Sequence, residues 1–226
     1  MKRLARLPRR NILRLLTRSA GLMVGACAPV DLLNVWVPPD NHRRLRDVAY
    51  GAHPRQRLDI HIPHDLSGPA QVVVFFYGGA WEAGMRGDYL FVAEGLVSAG
   101  FIVVVPDYRL YPTFLDDSAQ AVAWGHAHIQ SHGGDAGQIF LMGHSAGAYN
   151  AAMLALDRRY LAKVALGPSV IRGVVGLAGP YDFLPITGPT LKLVFAAPDM
   201  AETQPINFAH GGAPPMLLMT GDDDTV

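Results

Sequence analysis

The chain has 226 residues, half of them hydrophobic, which suits one α/β domain with a substantial core. Its formal net charge is zero, but seven of its nineteen lysines and arginines fall within the first eighteen residues. From Cys27 onward, twelve basic residues stand against nineteen acidic ones. A mildly acidic body argues against nucleic-acid binding, so the N-terminal charge indicates targeting instead.

Residues 1–27 are interpreted as an export leader. A basic start precedes the short apolar stretch 19–26, as in a secretory signal, and residues 9–14 resemble a twin-arginine export motif. Residues 24–27 resemble the lipobox of bacterial lipoproteins, in which Cys27 would carry the lipid. We therefore expect an exported, periplasmic or membrane-anchored protein. The alternative is a cytoplasmic protein whose N-terminus is an Arg-rich amphipathic helix or a poorly ordered leader with a chance cysteine.

The next segments lead into the main domain. Residues 28–46 combine prolines with a polar cluster and predict a linker or entry arm, so the domain is expected to span residues 47–226. Residues 48–50 and 58–62 are short alternating runs on either side of a turn. They predict an antiparallel pair at the edge of a sheet.

From residue 72 onward, apolar runs alternate with helical patterns. Strands are predicted at residues 72–77, 101–105, 138–142, 171–177 and 216–220, and helices at residues 86–99, 114–131 and 151–157. Residues 183–212 are expected to form short helices within a substrate lid. This alternation predicts a mostly parallel sheet with helices on both faces and a ligand site at the carboxyl ends of the strands.

The most informative stretch joins the strand at residues 138–142 to the following helix. Ser145 stands there between Gly143 and Gly147, in the pattern G-x-S-x-G. A strand that becomes a helix at one serine forces that serine into a strained turn, and the glycines remove Cβ atoms where the backbone is crowded. Ser145 is therefore the predicted nucleophile, and the Ala146 N–H is expected to help bind the oxyanion. A tightly packed turn without chemistry is the alternative.

The turn at residues 143–147 is of the kind called a nucleophile elbow. Together with residues 77–81, it makes the chain resemble the α/β-hydrolase superfamily. Within that superfamily, the chain resembles bacterial exported carboxylesterases that pair an H-G-G-x-W motif with G-H-S-A-G. The motif is kept except that Tyr77 replaces the histidine. The resemblance implies that the amides of Gly78 and Gly79 join that of Ala146 in the oxyanion hole. It further implies a serine hydrolase that cleaves short-chain carboxylic esters of small molecules through an acyl-enzyme, without metal or cofactor.

The same resemblance implies the chain order nucleophile, acid, histidine. The family's acid lies three residues after a glycine, which here gives Asp224, with Asp222 as the alternative. A histidine should follow, but only two residues come after Asp224. His210, expected near the carboxyl edge of the sheet, is the candidate substitute. We therefore expect a truncated α/β-hydrolase fold that lacks its final strand and helix, with catalysis crippled by the missing base.

Two other functions stay open on the sequence. One is an arylformamidase-like amide hydrolase, because related enzymes share the G-G-x-W exit. The other is a non-catalytic binding protein that keeps the hydrolase fold and is tethered to a membrane through its N-terminus. Metal-dependent hydrolysis has no support, since no H-x-H or H-E-x-x-H pair lies with carboxylates at strand ends.

Overall fold

The computed structural model describes residues 33–38 and 41–222. In that part of the chain, seven strands form one sheet in the order β1-β2-β4-β3-β5-β6-β7. The strands are β1 (Arg43–Ala49), β2 (Arg57–Ile62), β3 (Ala70–Phe76), β4 (Ile102–Pro106), β5 (Gly134–His144), β6 (Ile171–Leu177) and β7 (Met216–Met219). The export leader, Cys27 and Asp224 lie outside the described residues.

Strand directions follow the predicted pattern. β1 pairs with β2 and β2 with β4 in antiparallel fashion, whereas β4, β3, β5, β6 and β7 run parallel to one another. In the register of the central pair, Phe76 at the end of β3 lies opposite Gly143 near the end of β5. The predicted edge pair and the mostly parallel sheet are therefore confirmed, and the ends of β3 and β5 meet at one edge.

Five α-helices and several 3₁₀ turns connect the described strands. The α-helices are α1 (Leu90–Ser98), α2 (Phe114–His128), α3 (Ala146–Leu156), α4 (Arg158–Lys163) and α5 (Pro189–Val194), and the 3₁₀ turns are Arg86–Tyr89, Ile129–His132, Pro168–Val170, Met200–Thr203 and Pro205–Phe208. Along the sheet, the chain moves from β3 to β4 in one direction, and then from β4 to β5 and from β5 to β6 in the opposite direction. Right-handed crossovers therefore put α1 on one face and α2 and α3 on the other.

β1 begins before the predicted start of the domain at residue 47. Arg43 pairs with Ile62 and Arg44 with His61, so residues 43–46 belong to the sheet rather than to a linker. The prolines and the polar cluster of residues 28–46 predicted a linker or entry arm. In the fold, the Arg44 guanidinium donates instead to the buried carboxylate of Asp59 on β2.

The central strands of the sheet and the helix packed on them are the most deeply buried elements. The side chains of β4 are all buried, as are nearly all of those of β3, which agrees with their continuous apolar sequence. All eleven residues of α3 are buried, and five of them are alanines, whose small side chains let the helix pack closely on β5 and β6. No helix in the described part of the chain is both long and apolar enough to cross a membrane.

Candidate active site

Ser145 occupies a strained turn between β5 and α3. Its backbone has φ 51° and ψ −120°, a positive φ that a residue with a Cβ rarely adopts. A Cβ on Gly147 would overlap the carbonyl oxygen of Phe76, and a Cβ on Gly143 would overlap the backbone of Gly147. The predicted strain at the serine and the predicted need for both glycines are therefore confirmed.

Backbone hydrogen bonds link this turn to the end of β7. The Ser145 N–H donates to the Leu177 carbonyl over 2.8 Å, and the Ala178 N–H donates to the Met219 carbonyl over 2.7 Å. Residues that follow Met219 therefore leave the sheet at the edge where Ser145 lies. Asp222, which is exposed, is the last described residue in that segment, so the choice between Asp222 and Asp224 as the acid stays a prediction.

The loop that follows β3, residues 77–84, lies directly against Ser145, and we call it the oxyanion loop after its predicted role. A Cβ built on Gly78 would stand 3.1 Å from the Ser145 Cβ, so any larger residue there would crowd Ser145. Gly79 has φ 130°, and its Cβ would overlap the Ala83 carbonyl. Ala146 is the first residue of α3, where a helix leaves its N–H groups without helical partners. Gly78 and Ala146 therefore lie next to Ser145, and Gly79 follows Gly78 in the same loop. The roles of these three residues in binding an oxyanion stay predictions.

Tyr89 bridges the oxyanion loop and the elbow, which sequence reasoning missed. The Gly78 N–H donates to the Tyr89 hydroxyl over 3.4 Å, and that hydroxyl lies 2.9 Å from Nδ1 of His144. Burial raises the pKa of Tyr89, so the phenol keeps its proton and can donate it to His144. An oxyanion that uses the Gly78 amide must compete with this long hydrogen bond.

Tyr77, the residue that replaces the family histidine, is completely buried beneath the loop. Its hydroxyl accepts a hydrogen bond from Arg55 over 2.9 Å, and its carbonyl accepts one from the Tyr108 hydroxyl over 2.7 Å. The rings of Tyr77 and Tyr108 stack with centroids 4.6 Å apart. Burial raises the pKa of the Tyr77 phenol well above its usual value, so the side chain is a neutral support for the loop.

Aromatic side chains pack beside the loop and close one wall of the site. The Trp81 ring meets Tyr149 and Phe195 edge to face, with centroid distances of 5.2 and 4.7 Å. The Trp81 indole N–H donates to Asn150 Oδ1 over 3.0 Å, which satisfies its buried polar group. Tyr149 follows Ser145 by four residues on α3, so one helix carries both the nucleophile turn and part of this wall.

Among the described residues, His210 forms no hydrogen bond with Ser145, and its role as a substitute base stays a prediction. The segment around it leads from the 3₁₀ turn Pro205–Phe208 into the start of β7. His210 accepts a hydrogen bond from the Gly212 N–H, and a Cβ on Gly212 would stand 3.9 Å from the guanidinium of Arg158. Arg158 follows the C-terminus of α3, and Ser145 precedes its N-terminus, about 16 Å away along the helix axis.

No histidine in the described part of the chain forms a hydrogen bond with Ser145. His144 contacts Tyr89 instead, His126 bonds to the Ala136 carbonyl on β5, and His128 bonds to the Trp124 carbonyl of its own helix. Among the same residues, no group of three or more His, Cys, Asp or Glu side chains is arranged to hold a metal ion. The described part of the site therefore offers a serine, amides and an aromatic wall.

The sequence matches the BD-FAE family model over residues 58–226. The chain belongs to the BD-FAE family. The matched region starts in β2 and includes the oxyanion loop, the nucleophile elbow and β7. The family match and the esterase relatives identify the chain as a carboxylesterase-like member of the α/β-hydrolase superfamily, as the resemblance implied.

Curated relatives of this BD-FAE chain include several hydrolases. The probable isoprenylcysteine alpha-carbonyl methylesterase of Oryza sativa subsp. japonica is 36% identical over 61% of this chain and 36% of its own. Esterase LipC of Mycobacterium tuberculosis is 29% identical over 92% of this chain and 61% of its own. Kynurenine formamidase of Danio rerio is 32% identical over 63% of this chain and 48% of its own. The chain thus spans less than two thirds of the length of these relatives.

Solved structures agree on the fold. A truncated carbohydrate esterase from gut microbiota superposes with a TM-score of 0.74 at 21% identity, covering 84% of this chain and 80% of its own. Esterase B from Lactobacillus rhamnosis, with an inhibitor bound, gives a TM-score of 0.74 at 18% identity, covering 93% and 76%. The BD-FAE chain therefore has the α/β-hydrolase fold that the alternation of strands and helices predicted.

Proposed function

We propose that this chain is a serine hydrolase that cleaves carboxylic esters through an acyl-enzyme on Ser145. The observation that carries the proposal is that the strained Ser145 turn lies against the Gly78 backbone. A Cβ built on Gly78 would stand only 3.1 Å from the Ser145 Cβ. Such a turn presents a hydroxyl next to backbone amides, which is the arrangement that acyl transfer needs. The likeness to the methylesterase of Oryza sativa subsp. japonica and to esterase LipC supports the same reaction.

In the proposed reaction, Ser145 Oγ attacks the ester carbonyl carbon and loses its proton to a base. The carbonyl oxygen takes up the electron pair and is stabilised by the N–H groups of Gly79 and Ala146, with Gly78 as a further donor if it releases Tyr89. The C–O bond to the alcohol then breaks as the base returns its proton to the leaving oxygen, so the alcohol departs and an acyl ester remains on Ser145. Water attacks that ester and loses a proton to the base, the carboxylic acid is released, and Ser145 takes the proton back.

A short acyl group suits this site best. Trp81 and Phe195 are each less than 5% exposed and are packed edge to face, so the wall beside the oxyanion loop is closed. A long chain would have to separate these rings, whose contacts are worth about 1 kcal/mol each beyond their buried area. We therefore propose acetyl and similarly small acyl groups as the preferred substrates.

Turnover by residues 1–226 alone is proposed to be slow. Ser145 has no imidazole hydrogen-bonded to it among the described residues, and a serine without a base is a weak nucleophile. Asp224, or Asp222, would orient such a base. Loss of a triad member typically removes several orders of magnitude of rate but leaves the part that the oxyanion hole provides.

The direct test is hydrolysis of p-nitrophenyl acetate by the chain and by Ser145→Ala, with and without added imidazole. We expect a low rate that imidazole raises in the wild-type chain more than in Ser145→Ala, because imidazole can accept the Ser145 proton. A series from acetate to decanoate should show falling kcat/KM. Equal rates for the two proteins under all conditions would contradict a catalytic role of Ser145.

An amide hydrolase of the arylformamidase type is the second candidate. It is favoured by the likeness to the kynurenine formamidase of Danio rerio. Assaying an N-formyl arylamine beside the nitrophenyl ester separates the two, since a formamidase prefers the former by kcat/KM.

We also propose that the protein is exported and carries a lipid on Cys27. Incorporation of labelled fatty acid into the wild-type protein, and its loss in Cys27→Ser, would test this proposal.

A further inference from the structure

Arg55 contacts the oxyanion loop from a distant turn. It lies between β1 and β2, and its side chain crosses to the segment that follows β3. Its Nη2 donates to the Tyr77 hydroxyl and to the Gly84 carbonyl, each over 2.9 Å, and its Nε donates to the Tyr108 carbonyl, also over 2.9 Å. Three acceptors, at both ends of the loop and on the neighbouring strand exit, are thus joined by one guanidinium.

The partners of Arg55 differ from those of other arginines near the sheet. Arg44, Arg86, Arg109 and Arg159 each form an ion pair with an aspartate. Within residues 33–38 and 41–222, Arg55 forms no ion pair, and its side chain donates to neutral oxygens. A planar guanidinium suits this use because its donors have a fixed geometry that can bridge several acceptors.

The loop needs such support because its backbone is strained. Ala80 and Trp81 have φ values of 53° and 60°, which cost of order 1 kcal/mol or more each for residues with a Cβ. Gly84 has φ 100°, and a Cβ there would stand 2.7 Å from the Gly78 carbonyl, so the two ends of the loop touch. A strained conformation persists only when surrounding contacts fix it, and Arg55 bonds to both Gly84 and Tyr77.

We propose that Arg55 is a positioning residue for the oxyanion loop: by bonding to the Tyr77 hydroxyl and the Gly84 carbonyl, it keeps the Gly78–Gly79 amides in place beside Ser145. Tyr77 stands at the position of the histidine in the H-G-G-x-W motif, and its hydroxyl is the acceptor for this contact. Arg55 does not touch the acyl group. The inference rests on the proposed function, since it assigns a role in the same site.

The experiment measures phosphonylation of Ser145 by an alkyl fluorophosphonate, whose phosphonyl oxygen occupies the oxyanion position. For Arg55→Ala we expect the limiting labelling rate to fall about 10- to 100-fold, less than the loss on removing one donor altogether, while the half-saturating concentration stays unchanged. Added guanidinium should restore part of the rate in Arg55→Ala. Arg159→Ala, which breaks an ion pair near the far end of α3, is the matched control and should label like wild type.

Tyr77→Phe makes the test specific to the bond. It should slow labelling modestly in the wild-type background and have no further effect in Arg55→Ala, because the shared contact is already lost. If Arg55→Ala fails to fold, Tyr77→Phe and Arg55→Lys carry the test, and both should slow labelling. Wild-type rates in these variants, or additive effects in the double variant, would overturn the inference. Labelling that persists in Ser145→Ala would instead overturn the proposed function.

Discussion

The two edges of the sheet are stabilised in different ways. At the first edge, Asp59 on β2 accepts from both Arg44 and Arg86, with side-chain distances of 2.5 and 2.9 Å, and is almost fully buried. At the other edge, β7 has four residues, and Leu217 and Met219 are more than half exposed. Ion pairs fix one side of the molecule, and backbone pairing with β6 alone carries most of the other.

This difference matters for the site because its two halves depend on different edges. Arg86 and Arg55 fasten the oxyanion loop to the β1–β2 side, whereas the segment that carries Asp222 follows β7. Within the described residues, the strained Ser145 turn and the Gly78–Gly79 loop are preformed, and Asp222 is exposed. The comparison predicts that changes at the elbow and the first edge cost much more stability than changes on β7.

The largest loss is expected at the elbow, where β3, β5 and α3 meet. In Gly147→Ala, the new Cβ would overlap the backbone carbonyl of Phe76, and backbone atoms cannot move aside as a flexible side chain can. We expect about 4 kcal/mol of lost unfolding free energy or no folded protein. Gly95→Ala is the matched control: its Cβ meets open space in the middle of α1, so a gain of about 0.5–1 kcal/mol is expected. Urea titration measures both, and equal effects would contradict the account of the elbow.

A smaller but substantial loss is expected at the first edge. Asp59→Asn removes the charge that Arg44 and Arg86 share, which leaves two partly buried guanidinium groups under-compensated and should cost about 3 kcal/mol. The control is Asp116→Asn, which breaks an exposed pair with Lys163 and should cost less than about 1 kcal/mol. Comparable losses from the two variants would show that burial of the first network is not what stabilises this edge.

Acid should reveal the same network. Although burial raises the pKa of Asp59, hydrogen bonds from the Asp47 N–H and from Arg44 lower it overall. A carboxyl whose pKa is lower in the folded state stabilises the fold fully above its unfolded pKa of about 4, and that stability is lost as the pH falls through the folded value. His61, whose pKa burial lowers to about 3, also makes the fold less stable in acid. The fall in stability below pH 6.5 should therefore be reduced, but not abolished, in Asp59→Asn.

The smallest effect on stability is expected at β7. Leu217 is 56% exposed, so Leu217→Lys should change the unfolding free energy by less than about 1 kcal/mol. An exposed apolar edge favours association between chains, and a lysine there opposes it. We expect less self-association by light scattering at unchanged thermal stability. A loss of several kcal/mol would mean that β7 is packed as firmly as the β1–β2 edge.

Local features of this fold could be predicted from the sequence, because they depend on neighbouring residues. The apolar run at residues 72–77 predicted a buried parallel strand, and the glycines around Ser145 predicted the strained turn, since each pattern contains its own physical cause. Residues 43–46 were misassigned to a linker because their charges pair with groups far along the chain. No local pattern marks Asp59 as the partner of Arg44.

The missed parts of the site have the same origin. Tyr89 bonds to Gly78, eleven residues earlier in the chain, and Arg55 bonds to Tyr77 across twenty-two residues. Neither tyrosine nor arginine stands in a recognisable motif, so only the fold brings them to the loop.

The central claim is that Ser145 is a nucleophile preformed beside an oxyanion hole. Intact-mass measurement after exposure to a fluorophosphonate, with imidazole added as the base, tests it most directly, because phosphonylation requires the serine, a base and the amides and leaves a countable adduct. We predict one adduct per chain, located on the peptide that contains Ser145, and none in Ser145→Ala. No adduct on the folded wild-type chain, or an adduct that persists in Ser145→Ala, would contradict the claim.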